Sequence, residues 1–261
     1  MNAKEHHITS QIAKSKLDND SSEIWTYPAL HIFRGRLSEK IVKDVIECCV
    51  KTNNNTAADQ LIANMKGTQS HLDKDDPLLK DYIEKMMISA CTYVDQCQTS
   101  DQMNYEDVNY EDEPVPRRVE IHEIWDVKMK PGDYNPLHIH QTPSHDGLSS
   151  ITYIKVPDGI RQSKEKSDAK SEALANMQGP HQMKVAEIRS RGRDGWLKIL
   201  WGLSQPFTSG YTCATSVDIQ PRVGDFYIFP KTLHHMVNPF HYEEDRWSVQ
   251  INFNCWAEGE G

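Results

Sequence analysis

Residues 131–155 read PGDYNPLHIHQTPSHDGLSSITYIK. A Pro-Gly-Asp turn opens the stretch, histidines stand at 138 and 140, and a β-branched and aromatic run closes it. Side chains two apart on a strand point to the same face, so His138 and His140 can reach one metal ion from a strand. A second stretch, GDFYIFPKTLHHMVNPF over 224–240, offers a third imidazole. Its histidines, 234 and 235, are neighbours, and only one can face a pocket from one strand. His235 is the expected ligand, since the chain loops after Pro230 and re-enters a strand there. His234 is then expected outside or behind the site.

Next comes DRWSVQINFN, in which Arg246, Ser248, Gln250 and Asn252 share one face of a strand. A guanidinium matches a carboxylate through two parallel hydrogen bonds, and a buried one needs such a partner. Two partners fit: the carboxylate of a small acid, with Ser248 adding a hydroxyl, or a structural ion pair with Asp245 or Glu244. Imidazoles suit iron, zinc, copper and nickel, and neutral nitrogens leave the ion its full charge for an anionic oxo-acid and dioxygen.

The rest of the 261 residues frames these pieces. A net charge of −9 with 26% charged residues argues for a soluble chain and against broad binding to nucleic acid or anionic membrane. No run approaches the ~20 apolar residues of a membrane span. The six cysteines form no CxxC pair and no secretory signal is visible, so they read as reduced thiols of a cytoplasmic protein. Residues 1–22 are polar and expected to form a disordered tail. EIWTYPALHIFRGR (23–36) reads as one or two short strands, and LSEKIVKDVIECCVKT as a helix capped by Ser38. A weaker helix is expected over 57–66, and Asp76-Pro77 starts another that runs to Cys97. Residues 106–113 read as an acidic loop and 160–194 as a polar excursion over a pocket. Many short strands with Gly and Pro turns fill the remainder. The expectation is a single, mainly β domain over 23–261, with helical support at about 23–100 and a β core at about 115–257.

Together PLHIH, LSSITYIKVP, DGWLKIL, GDFYIFPKTLHHMVNP and DRWSVQINFN resemble the iron(II)- and 2-oxoglutarate-dependent dioxygenases. The likeness is to the bacterial and phage group related to prolyl hydroxylases, and covers roughly residues 120–256. It implies a double-stranded β-helix, a jelly-roll barrel with its site in the mouth. It implies Fe(II) on His138 and His235, and Arg246 with Ser248 as an RxS pair for the distal carboxylate of 2-oxoglutarate. Tyr153 is a further candidate for a hydrogen bond to this cosubstrate. The implied reaction hydroxylates a substrate, a protein side chain or a small molecule, while 2-oxoglutarate and dioxygen give succinate and CO2.

One residue departs from the family pattern, in which an Asp or Glu stands where this chain has His140. Either His140 ligates, or water takes its place, or Asp146 swings in. Cupins are a rival likeness: Gly132 and His138-x-His140 match the start of one cupin motif, and Gly224, Pro230 and His235 much of the other. The glutamate of that motif is missing between Gln141 and Ser144. A non-enzymatic jelly-roll binding module is the third reading.

Overall fold

The structure is a computed structural model that describes residues 23–27, 30–52, 64–104, 117–144, 146–175, 193–201 and 216–257. Its elements are β1 (Glu23–Tyr27), β2 (Leu30–Arg36), α1 (Glu39–Lys51), β3 (Thr68–His71), α2 (Lys80–Asn104), β4 (Arg117–Met129), β5 (Asn135–His138), β6 (Asp146–Lys155), α3 (Asp158–Ala175), β7 (Leu197–Leu200), β8 (Ser216–Ile219), β9 (Asp225–Pro230), β10 (His234–Val237) and β11 (Arg246–Ala257).

From β4 onward the chain alternates between two antiparallel sheets. The larger has the order β1-β2-β9-β6-β11-β4-β3 and the smaller β5-β10-β7-β8. Strands consecutive in sequence thus mostly lie in opposite sheets, as in a double-stranded β-helix. The inner faces meet in one apolar cluster, where Trp125, Val127, Ile151, Tyr227 and Phe229 of the large sheet pack with Leu197, Ile199, Ile219 and Val237 of the small one.

The period-2 pattern of β11 separates two environments. Val249, Ile251, Phe253 and Cys255 face the helices, joining Val42, Val45 and Cys49 of α1 and Tyr82, Met86 and Ala90 of α2 in a second core. Arg246, Ser248, Gln250 and Asn252 alternate with them. In α1 the Ser38 hydroxyl accepts from the Ile41 N–H, and its buried stripe is Val42, Val45, Cys48 and Cys49. Asp76 caps a short 3-10 turn, Pro77–Leu79, that leads into α2.

In the N-terminal third the strands expected over 23–36 form as β1 and β2 at one edge of the large sheet, while β3, which was not expected, extends the other edge. Helix α2 continues to Asn104, past the expected end at Cys97. At the end of the expected 57–66 helix, Asn64 instead pairs with Tyr134 as an isolated bridge. The polar excursion opens as a helix, α3. The tail 1–22, residues 57–63, the loop 106–113 and residues 176–192 lie outside the described residues.

Candidate metal and cosubstrate site

The turn before β5 is fixed by Asp133. Its buried carboxylate accepts the N–H groups of Lys66, Gly67 and Lys130 at 2.8, 2.9 and 2.7 Å. Gly132 occupies a left-handed conformation (φ 89°) that glycine adopts without penalty. This brings β5 beside β10, where His138 and His235 are direct cross-strand partners and therefore share a face.

His140 joins them from beyond the strand. The expectation placed both 138 and 140 on one strand, but β5 stops at His138. His140 is held by its backbone N–H, which donates to the Lys231 carbonyl at 2.9 Å. One ligating nitrogen from each of His138, His140 and His235 lies within 4.8 Å of the others. Among the described residues no carboxylate, including that of Asp146, completes this group. His234 points outward and is exposed, while His235 is 5% exposed.

The three imidazoles could hold a metal ion. The Nδ1 atoms of His138 and His235 lie 2.7 and 2.8 Å from the carbonyl oxygens of Pro136 and Leu233. A carbonyl only accepts, so each Nδ1 carries the proton and each Nε2 keeps its lone pair. Burial lowers all three pKa values, that of His140 to about 3, with mutual repulsion adding at His140 and His235. All three are neutral at pH 7. The Nε2 atoms of His140 and His235 are 3.0 Å apart. Two nitrogens that each bond a divalent ion at about 2.1 Å and a right angle are separated by about the same distance.

Arg246 is 1% exposed. Its Nη1 lies 3.1 Å from the Met129 sulfur, and its Nε and Nη2 have no hydrogen-bond partner. The structural ion pair with Asp245 or Glu244 is therefore not formed. Its guanidinium carbon sits 5.0 Å from the centre of the Tyr153 ring. The Tyr153 hydroxyl is buried and makes no hydrogen bond of full geometry. Burial pushes that phenol up to about 12 and pulls Arg246 below its usual value, while the charge and donor–acceptor proximity of the two groups oppose both shifts. Ser248 is fully buried, opposite Tyr153, and its oxygen accepts from Gln250 Nε2 at 2.9 Å.

A cavity of ≈ 30 Å³ lies against the three imidazoles, walled by Trp125, Val127, Ile151, Phe229 and Gln250. It has room for an ion and water. Gln250 connects the two halves, lining this cavity and bonding to Ser248. Sequence reasoning missed Trp125, whose ring centre is 5.8 Å from that of His140, and Lys231. It placed Asp133 in the turn before the first histidine and Gln250 in phase with Arg246, but gave neither a contact in the site.

The sequence profile of a family described as "Putative 2OG-Fe(II) oxygenase" matches residues 123–252, the span from β4 into β11. No curated protein matches the sequence. Similar solved structures include a Pseudomonas putida prolyl-4-hydroxylase, at 12% identity over 85% of this chain and 91% of that one, with a TM-score of 0.45. AviO1 from Streptomyces viridochromogenes Tue57 shares 12% identity over 85% and 89%, with a TM-score of 0.47. HygX from Streptomyces hygroscopicus, solved with nickel, 2-oxoglutarate and hygromycin B, shares 10% over 85% and 82%, with a TM-score of 0.44.

Proposed function

We propose, from the premise that through residues 123–252 the chain belongs to this 2OG-Fe(II) oxygenase family and is an enzyme of that kind, that His138, His140 and His235 hold the iron and that Arg246, Ser248 and Tyr153 hold 2-oxoglutarate. One observation carries the second half. A fully buried guanidinium with two nitrogens, Nε and Nη2, that lack a hydrogen-bond partner stands beside a buried phenol that makes no hydrogen bond of full geometry. Leaving such groups unpaired costs about 1–3 kcal/mol each, more for a charged one. A carboxylate placed between them satisfies all of them at once.

Bound iron supplies the oxidising chemistry, in which dioxygen converts 2-oxoglutarate to succinate and CO2 and hydroxylates the substrate. The chain supplies the remainder. Its neutral imidazoles leave the ion's charge available to an anionic acid. Arg246 anchors the distal carboxylate by charge and direction. Tyr153 stays protonated at neutral pH and can donate to the same group, as can Ser248. Val127, Ile151 and Phe229 keep bulk water from the imidazoles. Arg246, Ser248 and Tyr153 do not line the cavity at the imidazoles, so a diacid that spans both displaces Gln250, whose amide lies on that cavity and on Ser248.

The test is turnover without any added substrate. Iron-loaded protein under air should convert 2-oxoglutarate slowly to succinate, and Arg246→Met should abolish this at the same cosubstrate concentration. Protein that binds iron yet yields no succinate would overturn the reading. The cupin alternative lacks its glutamate and leaves the unpaired Arg246 unexplained.

A further inference from the structure

The fold places two of the three imidazoles by strand pairing, but it does not place the third that way. His140 lies past the end of β5, and the next strand begins at Asp146. Residue 231, in the turn between β9 and β10, takes over this task. Its carbonyl accepts the His140 N–H at 2.9 Å, and its own N–H donates to the Gly147 carbonyl at 3.0 Å. The Lys231 ammonium reaches the middle of the same segment. It donates to the Thr142 hydroxyl at 2.9 Å, the Thr142 carbonyl at 3.4 Å and the Ser144 carbonyl at 2.5 Å. One residue, four positions before His235, thus fastens the segment at its start, middle and end.

The surroundings are shaped for this lysine. Lys231 is 8% exposed and, among the described residues, has no carboxylate partner. A buried ammonium persists only when it is well hydrogen-bonded, and here loop oxygens alone serve it. Gly147 is crowded on this side as well: a Cβ there would stand 2.6 Å from the Phe253 carbonyl oxygen, 2.7 Å from Thr142 Oγ1 and 3.0 Å from Lys231 Cδ.

We propose that Lys231 is a positioning residue that holds the His140 imidazole in place for the metal. This rests on the proposed function, which makes His140 a ligand. Outer-shell partners of metal ligands typically account for about 10–100-fold in affinity.

The experiment is Co(II) titration of the full chain, reading affinity and the visible absorption spectrum of the bound ion, well below the melting temperature. Lys231→Met keeps the main-chain bonds to His140 and Gly147 and removes only the ammonium contacts to residues 142 and 144; it should weaken Co(II) binding by up to about 10-fold, the low end for outer-shell partners, and change the spectrum. Thr142→Val, which removes one acceptor at constant volume, should act in the same direction to a smaller extent, and it serves if the lysine variant does not fold. In a His140→Ala background, Lys231→Met should have no further effect on affinity, because the ligand it positions is gone. Wild-type affinity and spectrum in Lys231→Met, or an equal loss in both backgrounds, would overturn the proposal. Failure of the underlying reading looks different. There His140→Ala itself binds Co(II) like the wild type, and the role of Lys231 falls with it.

Discussion

The proposed chemistry rests on three imidazoles and on a guanidinium whose Nε and Nη2 have no hydrogen-bond partner. His235 differs from its neighbour in facing inward, which makes it the proposed ligand. His235→Ala should therefore cost more than the about 100-fold that loss of an outer-shell partner costs at most. His234→Ala should leave Mn(II) affinity within about twofold, below the scale of outer-shell losses. A Mn(II) titration followed by electron spin resonance checks both, and the opposite ranking would mean that the wrong neighbour ligates. The same residues make the metal-free chain sensitive to acid. Burial depresses the imidazole pKa values, His140 to about 3, so the unfolded chain binds protons that the folded chain refuses. Their stabilising contribution is complete above the ordinary value of about 6.5 and is lost as pH falls from there toward 3, by at most about 1.4 kcal/mol per pH unit and imidazole. Melting temperatures taken in chelator should fall over this window, with a shallower slope in His140→Gln. An identical slope in that variant would exclude His140 from the effect.

Among the elements, the approach to β5 matters most, because it aims the first imidazole. Asp133→Ala would leave three backbone N–H groups in a buried turn without their acceptor. We expect a loss on the order of 3 kcal/mol, at the low end of about 1–3 for each group, together with weaker metal binding. Asp133→Asn should lose less, since one oxygen remains. Chemical denaturation measures the first effect and metal titration the second, and unchanged stability in Asp133→Ala would show that water replaces the carboxylate. β11 was the most legible element. Its alternation separates the polar face of Arg246, Ser248 and Gln250 from the apolar face of Val249, Ile251 and Phe253, and local sequence alone states that much. The Lys231 latch was not legible. A lysine after an apolar strand looks like a solvent-facing turn residue until the fold brings the carbonyls of residues 142 and 144 over it.

Across the two sheets, strand character could be read but pairing could not. EIWTYPALHIFRGR reads as β, yet nothing local says that β2 lies beside β9, or that β3 caps the far edge next to β4. Those pairings join segments far apart in sequence and depend on which edges the barrel leaves open. The convergence of His138 with His235 is of the same long-range kind. It was inferable because the chemistry of a shared ion demands what the local pattern cannot supply. The barrel then sets Arg246 and the imidazoles on one interior, with Gln250 between the two sets of contacts.

We propose that this interior holds one ion and one dicarboxylate. The decisive experiment is calorimetric titration of 2-oxoglutarate into the Mn(II)-loaded chain without oxygen. We predict binding that requires the metal and that weakens about 100-fold in Arg246→Met, the equivalent of about 2.7 kcal/mol, while Mn(II) affinity stays as in the wild type. Equal 2-oxoglutarate binding by both proteins, or none by the metal-loaded wild type, would contradict it.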